Sequence, residues 1–203
     1  MAMKRTAIGV RVHSGWGALV AVAGEPPEIE ILERWRVTVI DPDMPGAKQP
    51  YHFVRECAVG QAEEHLAACA KLAEKLAHDS IRGIIRELEG IGYRVEASAI
   101  LLASGRKLPP LAEILASHPL LHTAEGEFFR QAFRKACEEL KVPVEGIRER
   151  ELEKRAGAAL GQSAARVQRR IAEAGKTIGP PWTADQKLAA LAAAVVLQEK
   201  HRR

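Results

Sequence analysis

A chain of 203 residues with 47% hydrophobic and 28% charged positions has the material for a sizeable core, which argues against disorder. Its formal net charge of +4 is a mild basic excess, compatible with nucleic acid or an anionic metabolite and diagnostic of neither. Cys57, Cys69 and Cys137 are scattered with no CxxC pair, so neither a zinc knuckle nor a disulfide framework is suggested, and reduced thiols point to the cytoplasm.

The N-terminal apolar run is broken by Arg11, His13 and Ser14 and has no signal-peptide core. No segment approaches the ~20 apolar residues of a membrane span, so no membrane partner is expected. Residues 6–12 and 16–23 are β-rich, with His13-Ser14-Gly15 supplying turn chemistry between them. After the breaker cluster Gly24-Glu25-Pro26-Pro27, residues 29–40 make a third strand whose later part, Trp35-Arg36-Val37-Thr38-Val39, alternates with period two. Short connections make these three strands an antiparallel meander.

A proline- and glycine-rich loop over 41–50 leads to Tyr51-His52-Phe53, read as a loop anchor. Apolar residues spaced by three and four then predict a helix from about Gly60 to Glu89, with a skipped turn near Ser80. Residues 93–103 form a strand whose apolar second half suits a buried central position. A short helix and a longer one over 123–140 precede a strand at 142–147, and helices follow at 151–160 and 164–174. The last helix carries the clearest start signal, the capping box Thr183-Ala184-Asp185-Gln186, and Leu188, Leu191, Ala192 and Val195 then make one apolar stripe.

The order β-β-β-α-β-α-β-α predicts an α/β fold with a mixed five-stranded sheet. Strands one to three are antiparallel, strands four and five run parallel to strand one, and helices flank the sheet. Residues 1–203 are expected to form a single domain, with a C-terminal helical part from about residue 150.

Two motifs carry a family resemblance. Ile8-Gly9-Val10-Arg11 followed by Ser14-Gly15-Trp16-Gly17-Ala18-Leu19-Val20 is similar to a first hairpin of the form GIDPG…TGWAV. Ala184-Asp185-Gln186-Lys187-Leu188-Ala189-Ala190-Leu191-Ala192 is similar to a final helix with an ADxxDALA pattern. With the element order, these motifs make the chain resemble the RNase H-like superfamily in its Holliday-junction-resolvase branch.

The resemblance implies two-metal phosphodiester hydrolysis, with carboxylates from strand one, strand four and the final helix holding metals about 3.5–4 Å apart. Here the strand-one aspartate position reads Arg11 or Val10, and strand four ends Leu101-Leu102-Ala103-Ser104. Asp185 matches one final-helix aspartate, while Leu188 stands where another would be. A divalent metal is therefore an open cofactor, unsupported by the usual carboxylate set, because arginine cannot ligate Mg²⁺.

The densest polar cluster is 117–127. His122 and Glu125, at i and i+3, can share a helix face for a metal, or Glu125 can act as general base with His122 orienting substrate. The plainer alternative makes Thr123 an N-cap, with Glu125 and Glu127 complementing the helix dipole. His122, Glu125, Glu127 and Asp185 are the candidate acid/base or metal groups. His13 and Ser14 in the first hairpin, with Arg106 and Lys107 beyond strand four, are the candidate ligand-binding groups.

The cations over 148–176 interleave with Glu149, Glu151 and Glu153 and have no aromatic neighbours, so a salt-bridged helix surface is expected there. Two functions stay open. One is a divergent enzyme acting on a phosphate-containing or nucleic-acid substrate. The other is a non-catalytic binding or scaffold domain that kept the fold and lost the metals. A homo-oligomer is compatible with either.

Overall fold

The computed structural model describes residues 2–103 and 107–202. β1 (Lys4–His13), β2 (Trp16–Ala23) and β3 (Glu30–Thr38) form the antiparallel meander. The β1–β2 turn is Ser14-Gly15, where Gly15 takes φ +81°, a conformation a side chain would resist. β4 (Tyr93–Leu102) pairs with β1 in parallel, and β5 (Val144–Arg148) pairs in parallel with β4. The sheet order is β3-β2-β1-β4-β5, the expected arrangement.

Period-two alternation divides β1 between two cores. Ile8 and Val10 point to the face covered by α2 (Val59–Gly90) and α4 (His118–Glu139), where they meet Ile81, Leu88, Phe129 and Phe133. Ala7 points to the opposite face, covered by α5 (Glu149–Leu160), α6 (Ala164–Glu173) and α8 (Ala184–Arg202). A smaller core lies beneath α1 (Pro50–Phe53) and α3 (Leu111–Leu115), built from Val54, Leu66, Ile114 and Leu121. The short α7 (Gly175–Ile178) precedes the loop into α8.

Three elements differ from the sequence expectation. α2 runs unbroken for 32 residues, because Ala73, Ala77, Ile81, Ile84 and Leu88 keep one buried stripe through the region around Ser80. α4 begins at His118, so Thr123 lies inside the helix and its hydroxyl donates to the Pro119 carbonyl at 3.0 Å instead of capping. Pro119 sits in the first turn, where its missing N–H breaks no helical bond. In α8, nine consecutive residues from Ala189 to Leu197 are buried, so the helix is enclosed on all sides instead of showing one stripe.

α8 rests directly on β1. A Cβ at Gly9 would lie 1.9 Å from the Ala189 carbonyl oxygen, so only glycine permits this approach. The capping box holds the start of the helix in place. Gln186 Oε1 accepts from the Thr183 N–H at 2.8 Å, and Thr183 Oγ1 accepts from the Asp185 N–H at 3.3 Å. Among the described residues no helix is long and apolar enough to cross a membrane.

Candidate functional site

Open α/β sheets place ligands at the C-terminal ends of their parallel strands. Here those ends belong to β1, β4 and β5. Gly9 and Arg11 share one face of β1, while Asp185 lies one turn before Ala189 on α8. The close Gly9–Ala189 contact therefore brings Asp185 opposite Arg11, across 174 positions of sequence.

The result is a closed ion-pair cluster. Arg11 Nη1 donates to Asp185 Oδ1, and its Nε and Nη2 donate to Glu149 Oε1 and Oε2 at 3.1 and 3.3 Å. The second Asp185 oxygen faces His13 Nε2 at 3.0 Å. His13 stacks on Trp16 with ring centroids 4.4 Å apart, and Arg36 lies 3.6 Å over the same ring. Burial works against the Arg11 charge, yet Glu149 and then Asp185 outweigh it and hold the guanidinium above its ordinary pKa.

A second guanidinium closes the cluster from α4. Arg130 is largely buried, donates from Nε to the Leu101 carbonyl at 3.1 Å, and lies 3.8 Å from Glu127. Burial draws its pKa below the ordinary value, and Arg11 acts in the same direction, opposed by Glu127 and Glu149.

These residues do not fit a two-metal centre. The β1 position that the resemblance assigns to a carboxylate holds Arg11 or Val10, neither of them acidic, β4 ends in Leu101-Leu102, and both oxygens of Asp185 already face cationic or donor groups. A divalent cation there would meet two guanidiniums at close range.

The other candidates gather elsewhere. His122 and His118, one turn apart on α4, bring their Nε2 atoms to 3.0 Å, and His52 of α1 packs against both rings. Glu125 is 3% exposed, and its Oε1 accepts from both the His52 N–H at 3.0 Å and His52 Nδ1 at 3.1 Å. Its Oε2 is buried with no hydrogen-bond partner among the described residues. Burial raises the Glu125 pKa, and the contacts from His52 offset that in part. No hydrogen bond or ion pair among the described residues joins this cluster to Arg11 and Asp185.

The sequence candidates thus divide. His13 and Asp185 come together, His122 and Glu125 come together around His52, and Glu127 belongs beside Arg130. Ser14 occupies the hairpin turn, Lys107 is exposed beyond β4, and Arg106 lies outside the described residues. Sequence reasoning missed Glu149, Arg130, His52 and His118 as site members. The spacing of His118 and His122 at i and i+4 was a readable signal; Glu149 and Arg130 had none beyond their nearness to a strand end and a helix.

No protein-family model matches the chain, and no curated protein matches it. Solved structures do match it, among them two of Thermus thermophilus RuvC. The first, in complex with a Holliday junction substrate, is 14% identical with a TM-score of 0.55, covering 98% of this chain and 96% of the other. The second is 15% identical with a TM-score of 0.53, covering 97% and 96%. The fold is RNase H-like. At this identity the likeness concerns the fold, and the site must be argued from its own residues.

Proposed function

We propose that this chain is a nucleic-acid-binding RNase H-like domain, spanning residues 1–203, that engages branched DNA without metal-dependent strand cleavage. One observation carries the reading: at the end of β1, where the resemblance implies a metal-binding carboxylate, Arg11 is clamped by Glu149 and Asp185. The DNA partner is supported by the RuvC structure solved with a Holliday junction, which matches over nearly the whole chain. It is also supported by the net charge of +4 and by cations near the parallel strand ends, the exposed Lys107 and Arg150 and the half-buried Arg148, the two arginines sharing Glu151.

The test compares a four-way junction with linear duplex of equal length by fluorescence anisotropy over a range of salt. Saturable junction binding that weakens steeply with salt is expected, with strands intact on gels after incubation with Mg²⁺ or Mn²⁺. Metal-dependent scission abolished by Asp185→Asn would instead establish the divergent-enzyme reading. Equal failure to bind junction and duplex would end the nucleic-acid reading.

A further inference from the structure

We propose that His52, His118 and His122 form a three-histidine site for one zinc-type transition-metal ion, with Glu125 as the outer carboxylate that orients His52. The site shares no residue with the Arg11–Asp185 cluster, and its ligands are all imidazoles.

Three features of the side chains carry this. The first is convergence. One ligand nitrogen from each ring lies within 4.8 Å of the others, and the His118 and His122 Nε2 atoms are 3.0 Å apart. Zn–N bonds of about 2.0–2.1 Å in tetrahedral geometry require ligand nitrogens roughly 3.3–3.4 Å apart, so a small rotation of exposed rings suffices. The i, i+4 spacing places His118 and His122 on one face of α4, an arrangement that helical zinc sites use. His52 comes from α1, a different element, which lets the three rings approach one point from different directions.

The second feature is tautomer control. Glu125 Oε1 already accepts the His52 backbone N–H, so it acts as an acceptor toward Nδ1 as well. Nδ1 then carries the proton and Nε2 keeps its lone pair, the state a metal needs. A carboxylate holding the far nitrogen of a ligand histidine is the recurring outer support of zinc sites.

The third is charge. Glu125 is 3% exposed, and among the described residues one of its oxygens has no hydrogen-bond partner and no lysine or arginine pairs with it. A buried carboxylate without a full counter-charge is costly, and a dication on His52 supplies that charge through the ring. His118 and His122 are exposed, so a fourth position is left open to water or an anionic ligand. Carboxylate ligands suited to Mg²⁺ are missing from the three, whereas imidazole suits Zn²⁺, Co²⁺, Ni²⁺ and Cu²⁺.

The experiment uses the full chain without a histidine tag, stripped with chelator and titrated with ZnCl₂ by calorimetry, and with CoCl₂ by visible absorption. One Zn²⁺ per chain and a Co²⁺ spectrum of low-symmetry nitrogen coordination without thiolate charge transfer are expected. His118→Ala and His122→Ala should each lower the affinity at least about 100-fold, and Glu125→Gln about 10–100-fold. Cys57→Ser should leave the affinity unchanged, because the exposed Cys57 is no ligand; Cys137, whose thiol burial pushes up to about 11, stays protonated.

Absence of stoichiometric binding overturns the proposal, as does parent-like affinity in a His118→Ala/His122→Ala double variant or loss of binding in Cys57→Ser. Both α4 histidines are exposed, so their variants keep the fold, and they carry the test even if Glu125→Gln unfolds.

Discussion

At the end of β1 every strong acceptor faces a cation or a ring nitrogen: Asp185 takes Arg11 and His13, and Glu149 takes Arg11 with both oxygens. At the start of α4 the proportions are reversed, with three converging imidazoles, of which His52 alone touches a buried carboxylate whose second oxygen has no hydrogen-bond partner among the described residues. The first arrangement is electrostatically closed and has little to offer an incoming cation. The second has converging lone pairs and a deficit of positive charge, so a cation completes it. Counting polar residues would rank the two clusters alike. What separates them is whether the charges inside each cluster already cancel.

The largest way to disturb this contrast is through the backbone contact that builds the closed cluster. Gly9→Val forces a side chain against the Ala189 carbonyl and must lift α8 from β1, separating Asp185 from Arg11. A loss of about 3 kcal/mol or more is expected in urea unfolding, at the upper end of overpacking effects. A loss below ~1 kcal/mol would mean that α8 is free to slide, and that the ion pairs position it instead.

The next effect tests closure itself. Arg11→Asp replaces the clamped cation with a third carboxylate beside Asp185 and Glu149, which should cost about 2–3 kcal/mol in metal-free buffer. If the arginine alone bars metal, millimolar Mg²⁺ or Mn²⁺ will restore much of that loss in the variant while leaving the parent unfolding midpoint unmoved. Equal response of parent and variant would show that Arg11 does not control metal access. The histidine cluster should be indifferent, and Zn²⁺ affinity in the same variant serves as the internal reference.

Much of the fold was readable because its signals are local. The hairpin turn at Gly15, the alternation in β3 and the Thr183 capping box each lie within a few residues. The early start of α4 was missed because Pro119 reads as a breaker, although in a first turn it breaks nothing. His13 and Asp185 were each identifiable as candidates, but their pairing depends on the Gly9–Ala189 contact, which joins positions far apart in the chain. Arg11 was read as a departure from a nuclease pattern, and only its two carboxylate partners make it the centre of the cluster. His52 looked like a loop anchor because α1 has only four residues and leaves no periodic trace.

The smallest expected effect comes from the opposite end of β1, where Glu96 pairs with Arg5 and Arg94. Glu96 accepts from Arg5 Nε at 2.6 Å and from Arg94 Nε at 3.1 Å. Arg5 first, and then Arg94, hold its carboxyl below the usual glutamate range against the opposing effect of burial. A folded-state pKa below the unfolded one stabilises the fold at pH values above the unfolded pKa, about 4.3. That contribution is lost as pH falls through the lower folded value. Solvent screening keeps it under ~1 kcal/mol. Glu96→Gln should therefore be slightly less stable than the parent near neutrality, with the difference closing as the buffer is taken below about pH 4. A gap that stayed constant into acid would assign the Glu96 contribution to packing. The comparison with Arg11 would then turn on packing, since the two ends of β1 carry the same guanidinium–carboxylate chemistry.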